Sequence, residues 1–126
     1  TAVAAAELLG VEVGAIANSL VFATAERQPL LVLTSGAHRV DTAKVAAIVG
    51  TTKLHRADPD FVHEATGQRI GGVAPVGHPR PLRTLVDTAL EGYPQVWAAG
   101  GVPHAVFPTT FAELVRLTGG EAADVA

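Results

Sequence analysis

The sequence Ile16-Ala17-Asn18-Ser19-Leu20-Val21-Phe22-Ala23-Thr24 decides the fold, together with the run Leu30-Leu31-Val32-Leu33-Thr34 that follows it. The polar link Glu26-Arg27-Gln28-Pro29 separates the two runs. Two apolar runs of strand length, joined by a short polar link, predict a β-hairpin. Because both runs are almost continuously apolar, we expect two central strands that are buried on both faces.

Four segments around this hairpin carry helix signals. Each begins after a residue that caps helix N-termini and is closely followed by a glycine. The segments are residues 2–9 after Thr1, 42–49 after Asp41, 59–66 after Asp58 and 111–117 after Thr110. In the second of them, Val45, Ile48 and Val49 share one face, so we expect that face to pack on the sheet.

Short strands are predicted at residues 53–57, 82–87, 95–99 and 105–107. The first is expected at a sheet edge, and the second alternates apolar and polar residues as a half-buried strand does. Helices and strands interleave irregularly, which predicts an α/β (α+β) fold with a mixed, strongly bent β-sheet and helices packed around it. No linker or repeat divides the chain, so we expect a single domain over residues 1–126.

The composition excludes several kinds of site. Without cysteine, the chain has no disulfide, no thiolate metal site and no cysteine nucleophile. The five histidines include no H-x-x-x-H or H-E-x-x-H pair, and no serine lies in a G-x-S-x-G turn. Neither glycine-rich segment carries a phosphate-binding fingerprint. We therefore expect no bound metal and no cofactor.

The charge and hydropathy of the chain limit its partners. A net charge of −3 gives no general attraction for nucleic acid. Arg69, Arg80 and Arg83 form either a local basic patch or an ordinary solvated edge. No apolar run approaches the length of about 20 residues that crosses a bilayer, and nothing resembles a signal peptide. We expect a cytoplasmic protein without a membrane partner.

Two loops rich in glycine and proline are the candidate pocket walls. They are Gly71-Gly72-Val73-Ala74-Pro75-Val76-Gly77 and Gly100-Gly101-Val102-Pro103-His104. Glycine lets another molecule approach the main chain closely, and proline stiffens a loop. The first loop is equally well explained as a connector that turns the chain. His104 in the second loop is either a general base, an orienting group or merely structural.

Asn18 stands out because it is an amide in an otherwise apolar strand. A buried amide must find hydrogen-bond partners or it destabilises the fold. It either ties down a neighbouring loop or presents a donor and an acceptor to a ligand.

Several segments, taken in order, resemble the YbaK/ProX family of trans-editing aminoacyl-tRNA deacylases, which is related to the editing domain inserted in bacterial prolyl-tRNA synthetases. The segments are I16-A-N-S-L-V-F, L30-L-V-L, R39-V-D-T-A-K-V-A-A-I-V-G50, A57-D-P, T66-G and G71-G-V-A-P-V-G77. The resemblance extends over the whole chain. Members of the family usually carry a further strand and helix before the position of Thr1, so we expect this single domain to lack that N-terminal piece.

The resemblance implies hydrolysis of the ester that joins a wrong amino acid to the 3′ end of a tRNA. It implies that Gly71 acts in catalysis and that Gly72, Val73, Ala74 and Pro75 contact the aminoacyl-adenosine end. Ser19, Gly100, Gly101 and His104 are expected to complete the substrate site. The tRNA is expected to be held through Arg69, Arg80 and Arg83, or delivered by a synthetase to a monomer or homodimer.

One departure from the family concerns catalysis. Many active members have a lysine in the pattern K-S-L-V-F, and this chain has Asn18 there. An amide can donate a hydrogen bond but supplies no positive charge. Either the substrate differs, or another group takes over, or the protein binds aminoacyl-adenosine ends without deacylating them. The segment G100-G-V-P-H104 also differs from the G-G-K-R-G run that is common in the family.

Overall fold

In the computed structural model, residues 1–101 and 105–126 are described. Within them, four α-helices accompany one sheet of seven strands. The helices are α1 (Ala2–Leu9), α2 (Thr42–Val49), α3 (Pro59–Thr66) and α4 (Phe111–Thr118). The strands are β1 (Ile16–Thr24), β2 (Pro29–Ser35), β3 (Leu54–Arg56), β4 (Arg83–Asp87), β5 (Val96–Ala99), β6 (Val106–Thr109) and β7 (Glu121–Ala123).

All four helices begin where the capping residues predict. In each helix, the side chain of the cap accepts a hydrogen bond from a backbone N–H in the first turn, at 2.8–3.1 Å. The caps are Thr1, Asp41, Asp58 and Thr110. Such a cap stabilises a helix by about 0.5–2 kcal/mol, so local sequence fixes these four starting points.

The sheet is mixed, as predicted, and its strands run in the order β6-β5-β1-β2-β4-β7, with β3 paired beside β1. The predicted hairpin is confirmed, because β1 and β2 are antiparallel from Ala17↔Ser35 to Ala23↔Pro29. Parallel pairs join β1 to β5, β2 to β4 and β4 to β7. A sheet of this kind needs both hairpins and crossover connections.

Each face of the sheet has its own apolar core. Residues of β1 and β2 with odd numbers, such as Val21 and Leu33, pack in one cluster with Val62 of α3 and Leu114 of α4. We call this side the α3 face. Residues with even numbers, such as Phe22, pack with α2 in a second cluster, which defines the α2 face.

Three expectations about burial are wrong. Leu30–Leu33 of β2 are buried as expected, but Asn18, Ser19 and Leu20 of β1 are only half-buried, because part of β1 lacks a neighbouring strand. The predicted half-buried strand β4 is buried from Thr84 to Asp87, because β2 and β7 flank it and both faces are covered. Ile48 is 39% exposed, because α2 buries a stripe centred on Val45 and Ala46 instead.

Candidate functional site

The middle of β1 has no strand neighbour on one side. There, β5 pairs only with Ile16 and Ala17, and β3 pairs only with residues 22–24. Residues 18–20 therefore border an opening between β5 and β3, which we call the sheet gap. A gap within a sheet leaves backbone polar groups free to bind something other than a strand.

Ser19 points its backbone into the sheet gap. The Val21 carbonyl accepts a hydrogen bond from the Ala57 N–H at 3.1 Å on this side, whereas the Ile16 carbonyl accepts from Gly36 on the β2 side. Because backbone groups alternate in direction along a strand, the N–H and C=O of Ser19 share the direction of those of Val21. Neither group of Ser19 has a hydrogen-bond partner within residues 1–101 and 105–126.

The side chain of Ser19 is also without a partner. Its Oγ is buried and makes no hydrogen bond in the described part of the chain. The register Ser19↔Leu33 places this hydroxyl on the α3 face. Three polar groups of one residue thus meet at the sheet gap, although a buried polar group without a partner destabilises a fold.

The glycine loop, residues 71–77, is built as a fixed wall. Gly72, Val73, Ala74 and Pro75 are buried, and Val73 belongs to the core of the α3 face. Gly71 and Gly77 at the two ends are exposed and have φ values of +90° and +86°, which residues with a side chain seldom adopt. The loop therefore contributes to the core as well as connecting α3 to β4.

Two side chains hold the glycine loop, and sequence reasoning missed both. Gln68 Oε1 accepts the Ala74 N–H at 2.7 Å, and His78 Nε2 donates to the Ala74 carbonyl at 2.8 Å. The Gly72 N–H donates to the Arg69 carbonyl at 3.3 Å. The N–H of Val73 has no acceptor among the residues that the structure describes, so it is available to a ligand. For the contact of Gln68 with the loop, the one signal in the sequence was a glutamine directly after the glycine that ends α3.

The two glycine-rich segments meet beside the sheet gap. A Cβ placed on Gly101 would lie 3.6 Å from Gln68 Oε1 and 3.9 Å from the Ala74 Cβ. Gly101 follows β5, and the glycine loop follows β3 and α3 in the chain. The loop therefore lies near the end of β5, one of the two strands that flank the gap. His104 lies outside the described residues, as do Val102 and Pro103.

Asn18 and Ser19 lie on opposite faces of β1. The register partner of Asn18 is Thr34, so its side chain belongs to the α2 face, opposite the Ser19 Oγ and the core around Val73. The amide makes no hydrogen bond within residues 1–101 and 105–126. It therefore does not tie down a described loop, and the half-buried amide is open to water or a ligand.

A buried polar cluster lies next to Asn18 on the α2 face. The carboxylate of Asp87, which is 0% exposed, accepts hydrogen bonds from the Thr34 hydroxyl at 3.3 Å and from the Ser35 N–H at 2.9 Å. His38 Nδ1 lies 3.0 Å from the same oxygen. An aspartate that follows an apolar strand was the only sequence signal for this cluster, which locks the ends of β2 and β4 together.

The three arginines grouped by the sequence do not form one patch. Arg83 lies 3.6 Å from Glu121 and donates to the Val49 carbonyl at 3.0 Å, which commits it to packing around β4 and β7. Arg69 and Arg80 are exposed on either side of the glycine loop. Only these two remain beside the candidate site.

In the described chain, no group of three or more His, Asp or Glu side chains could hold a metal ion. None of the described helices has the length and apolarity to span a bilayer.

Comparisons with known proteins agree with the sequence resemblance. Residues 1–117 match a family model described as the aminoacyl-tRNA editing domain. The uncharacterised protein YwhH of Bacillus subtilis strain 168 is 33% identical over 110 residues, which are 87% of this chain and 69% of that protein. A crystal structure of a candidate trans-editing enzyme for prolyl tRNA synthetase is 49% identical, with a TM-score of 0.93 over 99% of this chain and 78% of that one.

A part of a larger enzyme is also similar. A proline–tRNA ligase of Listeria innocua is 28% identical over 86 residues. These residues are 68% of this chain but only 15% of the ligase, so the likeness covers a small segment of that enzyme.

Proposed function

Since this chain belongs to the aminoacyl-tRNA editing domain family, we propose that it is a trans-editing deacylase, which hydrolyses the ester between a wrong amino acid and the 3′ end of a tRNA. The observation that carries the proposal is Ser19, whose N–H, C=O and Oγ lack partners in the described chain at the sheet gap. The glycine loop approaches Gly101 just beyond the end of β5, and the N–H of Val73 has no acceptor among the described residues. Backbone donors of this kind suit an ester carbonyl.

In this proposal, a water molecule attacks the carbonyl carbon of the ester and forms a tetrahedral oxyanion. The N–H groups of Val73 and Ser19 donate to that oxyanion, which lowers the barrier because they are already fixed in position. The bond to the ribose oxygen then breaks, and the proton from the water ends on that oxygen. The free amino acid and the tRNA leave with their atoms balanced.

Selection among amino acids would rest on the size of the space behind the glycine loop. A single methylene changes binding in an apolar pocket by only about 1–3 kcal/mol. A separate deacylase raises fidelity beyond that limit. The protein would act in the cytoplasm on mischarged tRNA held near Arg69 and Arg80, alone or beside a synthetase.

The direct test is a panel of mischarged tRNAs incubated with the folded protein, with loss of the ester followed over time. Hydrolysis of at least one small aminoacyl ester well above the spontaneous rate is expected. No hydrolysis of any ester, by protein whose circular dichroism shows it to be folded, would contradict the proposal.

A second function, favoured by Asn18, is binding of aminoacyl-adenosine ends without turnover. The amide of Asn18, which has no hydrogen-bond partner in the described chain, supplies no positive charge where many deacylases of this family have a lysine. The variant Asn18→Lys separates the two functions. Hydrolysis that appears only in the variant supports the binding function, whereas hydrolysis by the unaltered chain excludes it.

A further inference from the structure

The α2 face of the sheet is accessible at the end formed by β5 and β6. In β5, Val96 and Ala98 are buried on the α3 face, whereas Trp97 and Ala99 are half-buried on the α2 face. Val106, the partner of Ala99 in β6, is 39% exposed. The core cluster of the α2 face includes no described residue of β5 or β6, so it does not cover this end of the sheet.

Trp97 is the largest side chain on this surface. Its strand partners are Ile16 of β1 and Pro108 of β6. Because the neighbouring pair Ala17↔Ala98 belongs to the core of the α3 face, Trp97 and Ile16 point to the α2 face. In the described chain, Trp97 belongs to neither core cluster. A tryptophan that is accessible outside the core is typical of a surface that binds a ligand.

Asn18 lies next to Trp97 on the same face, at the sheet gap. It follows Ile16 by two residues in β1, so it is the diagonal neighbour of Trp97, a separation that an aromatic side chain can span. Thr34, opposite Asn18 in β2, gives its hydroxyl to Asp87 instead. The Asn18 amide, which has no partner in the described chain, therefore offers both a donor and an acceptor beside the indole.

This surface is continuous with the candidate site. Ser19 follows Asn18 directly, and its N–H and C=O point into the sheet gap. From Ile16, which is level with Trp97, the strand advances by three residues to Ser19, a distance of about 10 Å. A ligand held at the gap can therefore reach Trp97 with a group that lies on the α2 face.

The charge of this surface favours a nucleobase over a phosphate. None of the described residues of β5 and β6 is charged, and the chain has a net charge of −3. A phosphate finds no cation on these two strands. A base is neutral, and stacking on an aromatic side chain holds it without any charge on the protein.

We propose that Trp97 and Asn18 bind the terminal adenine of the aminoacyl-tRNA, the base attached to the esterified ribose. The adenine stacks on the indole of Trp97. The amide of Asn18 donates to a ring nitrogen and accepts from the exocyclic amino group, as asparagine does with adenine in nucleic-acid complexes. The ribose lies in the sheet gap and carries the ester to Ser19. The proposal rests on the proposed function, because it names which part of that substrate the α2 face holds.

The fluorescence of Trp97 reports on this surface alone, because the chain has a single tryptophan. The protein is titrated with an aminoacyl-adenosine analogue in which an amide replaces the ester, so the readout does not depend on hydrolysis. Stacking should quench the fluorescence. The same analogue without its base should cause no quenching and bind about tenfold more weakly. A purine analogue without the exocyclic amino group should still quench but bind about threefold more weakly, because it loses a hydrogen bond to Asn18.

Variants test each contact by calorimetry with the amide analogue. Trp97→Leu keeps an apolar side chain without the ring and should bind about tenfold more weakly, whereas Trp97→Phe restores a ring and should recover most of the affinity. Asn18→Ala should bind about threefold more weakly and no longer distinguish the two purines. Leu8→Ala is the control, because it removes an apolar side chain that is 86% exposed on α1, and its affinity should be unchanged.

The outcomes separate this site from the proposed function. Binding that depends on Trp97, without hydrolysis of any mischarged tRNA, would contradict the deacylase while supporting the base site. Hydrolysis by a protein whose fluorescence does not respond to the analogue, with normal binding by Trp97→Leu, would overturn the base site alone. A fluorescence change caused by a synthetase but not by the analogue would assign the surface to a protein partner and also overturn the proposal.

Discussion

Removing the hydroxyl of Ser19 should make the protein more stable. The Oγ is buried and has no partner in the described chain, and burial of an unpaired hydroxyl destabilises a protein by about 1–3 kcal/mol. Ser19→Ala also loses the packing contacts of one atom, and this loss costs less than a buried methylene, which contributes about 0.8 kcal/mol to stability. The net expectation is a gain of about 1 kcal/mol, or about 3–5 °C in the melting temperature of a domain of this size.

The stability of Ser19→Ala is measured by urea denaturation, and its activity by hydrolysis of the best ester from the mischarged panel. Activity should fall at least about tenfold if the hydroxyl contacts the substrate, since one hydrogen bond in a transition state is worth about 1.4 kcal/mol or more. Thr109→Val is the matched control, because Thr109 Oγ1 is the other buried hydroxyl without a partner in the described chain and lies at the far end of β6. It should gain stability and keep full activity.

Two results would refute this reasoning about Ser19. If Ser19→Ala is less stable than the unaltered chain, the hydroxyl has a partner in the free protein and is structural. If it is more stable but fully active, the hydroxyl takes no part in the substrate site. A gain in stability together with a loss of activity is what a group held ready for a ligand predicts.

Three further predictions concern the glycine loop, the buried cluster at Asp87 and the ion pair of Asp124. Gly71→Ala should destabilise the fold by about 1–2 kcal/mol through backbone strain and should also lower the rate of ester hydrolysis. Gly77 has a similar φ and open space around it, so Gly77→Ala should show the same destabilisation without the loss of hydrolysis. Equal rates of hydrolysis in the two variants would argue against a catalytic role for the loop backbone. Asp87→Asn should lower the free energy of unfolding, measured in urea, by about 3 kcal/mol, because the amide N–H₂ then faces buried hydrogen-bond donors. A loss under about 1 kcal/mol would contradict the stabilising role given to the buried Asp87 carboxylate. The hydrogen bond from Lys44, with a smaller contribution from a backbone N–H, lowers the pKa of Asp124. The ionised Asp124 therefore stabilises the fold fully above the ordinary pKa of aspartate, and this stabilisation is lost as the pH falls through the lowered pKa. Acid titration of Asp124→Asn should lack that part of the pH dependence, and an unchanged profile would show that the pair contributes nothing.

Local sequence determined most of the elements and little of their arrangement. Helix starts were predictable because a cap acts within one turn, as Asp58 does for α3. The strand β7 was missed because Glu121-Ala122-Ala123 has no β-branched or aromatic residue. It is a strand because β4 offers an open edge from Leu85 to Asp87, which depends on residues far away in the chain.

The sheet gap could not be predicted for a similar reason. It exists because β5 stops pairing after Ala17 and β3 starts pairing only at Phe22. Each limit is set by the register between segments that are more than 30 residues apart, and no local pattern carries that information. The family resemblance identified the glycine loop as a candidate site wall. It did not identify Ser19 as a candidate binding residue by its exposed backbone, because that depends on the register of β1.

The register also changes how the substitution at position 18 is understood. Side chains alternate along a strand, so Asn18 and Ser19 reach opposite sides of the same gap. A lysine at position 18 has a flexible four-carbon stem and can carry its charge past the edge of β1 toward the glycine loop. The short amide of Asn18 stays on the α2 face, beside Thr34. Among the residues that the structure describes, Ser19 and the glycine loop place polar groups beside the gap on the α3 face. If the proposed deacylation uses these neutral donors, the loss of activity in Ser19→Ala should exceed any loss in Asn18→Ala.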